Sequence, residues 1–215
     1  MVNKASEKWR NAVVEELIKQ NVPLPADLIV SLIHVESRGK PGLTNKKSGA
    51  SGLTQVMPVT LKDFNKRTGK NYTMNDLQKD DYSSALKQIE VGISVLSNYW
   101  RSAFNYLSQR YDDVPIDELA HIADLFYVAG PGATKKRLNK LSNPTWHEIQ
   151  NAFPKWNALP HPRNVFKEPI SWDIEEIAGW LSGSISKIAK NPVTGFAFGI
   201  LILMATYWLL KGKSS

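Results

Sequence analysis

SLIHVESRGKPGLTNKKSGASGLTQVMPVT, residues Ser31 to Thr60, joins the end of an apolar helical run to a glycine-rich turn. Ile29, Ile33 and Glu36 fall at i, i+4 and i+7, with Leu32 and Val35 beside them. One carboxylate therefore shares a helix face with core residues. Gly39 and Pro41 predict a helix end just after it, which places Glu36 at the negative end of the helix dipole. An apolar face and a negative dipole both disfavour the ionised carboxylate, so Glu36 is expected to keep a proton, as a general acid must. The plainer reading is a solvated glutamate at a helix terminus.

Working outward, Ser6 to Gln20 predicts a first helix, with Val13, Val14, Leu17 and Ile18 on one side and Glu15 and Glu16 away from it. Charges interrupt this segment, so it does not read as a secretion signal. Pro23 and Pro25 break the chain, and Pro25 suits the first turn of the helix that ends at Glu36 and Ser37. Gly39 to Gly52 reads as a polar loop. Gly52 to Thr60 predicts a short helix ended or kinked near Pro58. Lys62 to Asp81 is mixed and gives no assignment. Leu86, Ile89, Ile93, Leu96 and Trp100 predict a long helix over Ser83 to Tyr106, and Leu119, Ile122, Ala123 and Phe126 another over Ile116 to Tyr127. Thr145 to Phe153 predicts a further helix. Beyond it Pro154, Pro160, Pro162 and Pro169 predict an irregular stretch that closes the globular part.

The chain has 215 residues, enough for one domain with an appendage. It has no cysteine, which excludes disulfides, thiolate metal sites and a cysteine nucleophile. Net charge is +7, and only four of the 27 basic and three of the 20 acidic residues lie beyond Ile170. The excess positive charge thus belongs to the globular part and suits a polyanionic partner. No nucleic-acid-binding motif is present. His34, His121, His147 and His161 are dispersed, and His147-Glu148 lacks a second histidine at zinc-site spacing. Each is expected to be a surface or hydrogen-bonded side chain and not a ligand. No metal or cofactor is called for.

The motif Glu36-Ser37 followed by Gly49-Ala50-Ser51-Gly52-Leu53-Thr54-Gln55-Val56-Met57-Pro58-Val59-Thr60 resembles the lysozyme-like lytic transglycosylases that cleave bacterial peptidoglycan. That family carries Glu-Ser at a helix end and then Gly-Ala-x-Gly-Leu-Met-Gln-x-x-Pro-x-Thr. Two further stretches match in part. Gln88-Ile89-Glu90-Val91-Gly92 stands where the family has Asn-Ile-x-x-Gly. Tyr127-Val128-Ala129-Gly130-Pro131-Gly132 stands where it has Tyr-Asn-Ala-Gly-Pro-Gly. The departures are Thr54 for methionine and Val128 for asparagine. The resemblance runs from about Pro25 to Gly132 and implies a mainly α, lysozyme-like domain over residues 1–168.

The resemblance also implies a mechanism and roles. Most glycosidases use two carboxylates; this family is similar to an exception in which one glutamate does both jobs. Glu36 would protonate the glycosidic oxygen between N-acetylmuramic acid and N-acetylglucosamine. It would then take the proton of the muramoyl 6-hydroxyl as a 1,6-anhydro ring closes. Ser37 would support the helix end. Gln55 would bind the acetamido group or the catalytic carboxyl, Met57 and Thr60 would line the sugar cleft, and Tyr127 would place its hydroxyl near Glu36. A goose-type lysozyme on the same fold is the alternative, with Asp76, Asp80, Asp81 or Asp124 positioning water. A wall-binding structural protein without turnover is the alternative of another class.

The tail adds a separate expectation. Ile174, Ile177, Leu181, Ile185 and Ile188 form one stripe, which predicts an amphipathic helix within residues 169–190. Val193 to Leu210 then runs 18 residues without charge, within the ~17–25 that cross a bilayer. Tyr207 and Trp208 sit where interfacial aromatics do. A single transmembrane helix over residues 191–211 is expected, followed by a polar tail, 212–215. Lysines flank both sides, so orientation stays open. A membrane-anchored wall enzyme is expected in a bacteriophage virion or an envelope-crossing machine, with the lipid bilayer and other components of that assembly as partners.

Overall fold

Prolines and residues in the left-handed region set the helix ends. In the computed structural model, which describes residues 2–22, 24–112 and 114–167, the first predicted helix is two. They are α1, Lys4–Glu7, and α2, Arg10–Gln20. The break turns Trp9 inward, where its indole N–H donates to the Gly39 carbonyl at 3.0 Å. Asn21 ends α2 at φ 56°. Pro25 stands just before α3, Ala26–Ser37, whose Ile29 and Ile33 are fully buried. Arg38, at φ 54°, caps α3, so the helix stops one turn before Pro41.

Pro58 begins a helix where the sequence predicted it would end or kink one. It opens α4, Pro58–Thr68, at a position where its missing N–H costs nothing. The residues before it form a tight hairpin. Ser51 and Val56 exchange backbone hydrogen bonds at 3.0 and 2.9 Å around the turn Gly52 to Gln55. A 3-10 turn follows at Met74–Leu77.

The long helix is α5, Tyr82–Leu107, started by Asp81, whose carboxylate accepts from the Ser84 N–H. Ile89, Ile93 and Leu96 are buried as their spacing predicts, Trp100 is partly buried, and Leu86 is exposed. Next comes α6, Ile116–Ala129, with Leu119, Ile122, Ala123 and Phe126 inward. Gly130-Pro131 turns it directly into a helix that periodicity did not predict, α7, Pro131–Leu138. Then follow α8, Trp146–Ala152, capped by Thr145, and α9, Pro160–Val165. The stretch after Phe153 is thus not wholly irregular. Pro160 starts a short helix, and Pro162 and Val165 bury it.

Helix α5 is the spine. It packs on α2, α4, α6 and the 3-10 turn, while α9 lies against both α3 and α6. Three apolar clusters result. One joins α2, α3 and the first half of α5; one joins the second half of α5 with α6 and α8; the third joins α4 to α5. The partly buried Tyr127 packs on the first and the third. Among the described residues there is no extended strand, only isolated bridges at Thr44–Ser51 and Ser51–Val56, and the mainly α expectation holds there. No helix among them is long and apolar enough to cross a membrane. The predicted amphipathic helix at Trp172 to Lys190 and the span Val193 to Leu210 lie outside the described residues.

Candidate active site

Glu36 occupies the last turn of α3, with its side chain 18% exposed. Ser37, next to it, is buried. Its hydroxyl donates to the Ile33 carbonyl at 3.0 Å and accepts from the Gly39 N–H at 3.2 Å. The second bond satisfies the Gly39 N–H just beyond the helix end, and the first ties the Ser37 side chain back onto the helix.

The second part is the Gly52 to Gln55 turn. Gly52 has φ +81°, and a Cβ there would come within 2.5 Å of the Gln88 side chain. Gln88 is fully buried and explains the close approach. Its Oε1 accepts from the Leu53 N–H at 2.8 Å, and its Nε2 donates to the carbonyls of Pro41 and Leu77 at 3.2 and 3.0 Å. One α5 side chain therefore clamps the loop at both ends. Thr54 is buried against Gly92, where a Cβ would meet its methyl at 2.6 Å. A threonine thus fills the place given to methionine in the motif, directly over a glycine of α5.

Gln55 adopts φ 48°, a strained value for a residue with a side chain. Its amide donates to the carbonyls of Leu43 and Gly52 at 3.1 and 3.0 Å. This nitrogen is spent on the loop. Met57 and Thr60 stand at the start of α4; Met57 is 42% exposed and Thr60 half-buried. The Tyr127 hydroxyl donates to the Thr54 carbonyl, which ties α6 to the turn. Burial, and then the Glu36 carboxylate, push the Tyr127 phenol well above its ordinary range. Val128 is exposed and supplies no polar group.

Sequence reading took His161 for a surface or hydrogen-bonded side chain and offered Asp124 only as one of four acids to position water; the structure links both to Glu36. His161 Nε2 lies 2.9 Å from Glu36 Oε1, and His161 Nδ1 lies 2.9 Å from Asp124 Oδ2. The imidazole is 12% exposed and Asp124 2%. Burial opposes the charge on His161, but the hydrogen bonds of Asp124 and Glu36 prevail and hold its pKa up, at about 10. Glu36 therefore does not lie on a purely apolar face, as its spacing suggested; the His161 imidazole is hydrogen-bonded to its carboxyl group. The carboxylates occupy opposite ring nitrogens, so these three groups do not converge on a point where a metal ion could sit, and no such cluster occurs among the described residues. Pro160 and Pro162 flank His161, and they predict an irregular stretch, not a partner.

Three of the four acids offered to position water have other employment. Asp76 closes a capping box with Thr73 and pairs with Lys87. Asp81 caps α5. Asp124 is buried behind His161. Asp80 is exposed beside Gly42.

Residues 15–149 match the family model described as Transglycosylase SLT domain. No curated protein matches the chain. The matched span holds Glu36, the Gly52 to Gln55 turn, Gln88, Asp124 and Tyr127, and ends before His161.

Proposed function

The chain belongs to the Transglycosylase SLT domain family, whose members are lytic transglycosylases acting on peptidoglycan, and on that premise we propose that Glu36 cleaves the β-1,4 bond from N-acetylmuramic acid to N-acetylglucosamine without consuming water. Glu36 gives its proton to the glycosidic oxygen as the bond to the muramoyl C1 breaks. The substrate's own acetamido oxygen shields the oxocarbenium-like centre. The carboxylate then takes the proton of the muramoyl 6-hydroxyl while that oxygen bonds to C1. One proton leaves Glu36 and one returns, and the product is a 1,6-anhydro end.

The observation that carries this reading is the partly exposed Glu36 linked through Tyr127 to the glycine-rich turn, with Asp76, Asp81 and Asp124 engaged elsewhere and Asp80 exposed beside Gly42. The inverting and retaining routes each need a second carboxylate facing the sugar. Met57, Thr60 and Tyr127 line the sugar cleft in this reading. Gln55 presents its amide oxygen to the acetamido group while its nitrogen stays on the loop. Purified sacculi digested by wild type and by Glu36→Gln test the assignment. Release of soluble fragments by wild type alone supports it; equal release by both proteins removes Glu36 as the acid, and no release by either leaves a wall-binding role.

The tail gives this activity a place. Val193 to Leu210 runs 18 residues without charge, a length that suits a bilayer, and we propose that it tethers the domain near the wall. Such a tether suits a membrane component of a bacteriophage virion, or of an envelope-crossing machine, that opens peptidoglycan locally. Flotation with lipid vesicles of the full chain, but not of a chain ending at Glu168, is the expected result; equal behaviour of the two contradicts the anchor.

A further inference from the structure

We propose that His161, held by Asp124, is the proton partner of Glu36: a positioning residue that fixes the carboxylate and exchanges with it the proton lent to the glycan. The proposal rests on the reading of Glu36 as the acid given above. It starts from hydrogen-bond stoichiometry. The imidazole meets a carboxyl oxygen at each ring nitrogen, 2.9 Å away on both sides. Each contact needs one proton between its heavy atoms. Three groups therefore share two protons. Only two arrangements leave Nδ1–H donating to the deeply buried Asp124. Either the second proton is on Nε2 and Glu36 is ionised, or it is on Glu36 and the ring is neutral. The second arrangement is the acid that the reaction needs, and a shift of one proton along one hydrogen bond reaches it.

Geometry supports a role beyond stapling α9. Nδ1–H donation to Asp124 fixes the ring orientation, so that Nε2 faces Glu36. His121 of α6 meets Phe166 in a tilted ring contact, centroids 4.5 Å apart and planes at 39°, which braces the end of α9. The titratable groups acting on this cluster are few. Helix α3 brings Glu36, and α6 brings Asp124, Tyr127, whose phenol feels both carboxylates, and His121, whose ring feels Asp124. Arg163 of α9 and Lys167 beyond it are exposed.

The step balances. As substrate binds, the Nε2 proton passes to Glu36 Oε1, and the Nδ1 proton stays against Asp124. Glu36 passes its proton to the leaving oxygen and later regains one from the 6-hydroxyl. That proton can return to Nε2, which restores the resting pair. No oxidant, metal or water enters.

The test is the pH dependence of kcat on purified peptidoglycan, with the full chain as wild type, His161→Gln, Asp124→Asn and Glu36→Gln. Glutamine can hydrogen-bond both neighbours but cannot store a proton. The alkaline limb of His161→Gln is expected to move toward acid by about 2 pH units or more. At pH 8 its kcat should fall about 10- to 100-fold with KM within about twofold. Asp124→Asn, which still accepts from Nδ1–H but removes a charge, should move the limb the same way by less. A limb in His161→Gln that coincides with wild type overturns the proposal. If that variant melts before assay, Asp124→Asn decides, and an unmoved limb there overturns it equally. Turnover by Glu36→Gln would instead remove the underlying assignment of the acid, so the two failures are separable.

Discussion

Glu36 Oε1 and His161 Nε2 stand 2.9 Å apart, although 125 residues separate them along the chain. The contact joins the last turn of α3 to the short α9, and Asp124 of α6 completes it from the far side of the ring. The last described helix thus closes the site that the first long ones begin.

Because the folded His161 is held near pKa 10 against an ordinary 6.5, its ion pairs stabilise the fold fully below about pH 6.5 and fade as pH rises through 10. Thermal melts from pH 6.5 to 10 should show wild type losing about 4–12 °C more than His161→Gln over this window, equivalent to about 2–3 kcal/mol. Parallel curves for the two proteins would contradict the pairing.

Gln88→Ala should destabilise strongly. It leaves the Leu53 N–H and the Pro41 and Leu77 carbonyls without their buried partner. The cost is about 3 kcal/mol, or roughly 6–12 °C in Tm. Activity should fall with the order of the loop even at temperatures where the fold survives. Wild-type Tm in this variant would show that the clamp does not hold the loop.

Gly92→Ala should push on Thr54, because the new methyl would lie 2.6 Å from two of its side-chain atoms. A packed helix–loop contact of this kind loses about 1–3 kcal/mol on overfilling. The double variant Gly92→Ala, Thr54→Ser relieves the methyl clash and should regain part of the loss in a denaturant titration. Additive losses would show that the two residues are not coupled.

Tyr127→Phe removes the hydroxyl that ties α6 to the Thr54 carbonyl. The buried carbonyl loses its donor, at about 1–2 kcal/mol in stability. The turn that holds Gln55 loosens, so kcat/KM on peptidoglycan should drop about 10-fold. Unchanged kinetics would place Tyr127 in packing alone.

Much of this arrangement is local and so was legible in the sequence. The spacing of Ile29, Ile33 and Glu36 puts the acid on its helix face, and the Gly52 to Gln55 turn announces itself by glycines. Other features depend on tertiary context. Pro58 reads equally as a helix end or a helix start, and only packing of Leu61 and Phe64 under α4 decides for the start. The break between α1 and α2 exists because Trp9 reaches the Gly39 carbonyl, a contact 30 residues away. His161 lies between prolines in a stretch with no periodicity, and nothing near it in sequence names Glu36 or Asp124. Its role is fixed by α9 docking on α3 and α6, which no local rule foretells.

What leaves the enzyme distinguishes ring closure from hydrolysis. Mass spectrometry of fragments released from purified peptidoglycan by the full chain reads the chemistry directly. Fragments ending in 1,6-anhydro-muramic acid, each lighter by one water than a hydrolysis product, are the predicted result. Fragments with reducing muramic ends would mean that water attacks, and would contradict a lone glutamate working with the substrate's own hydroxyl.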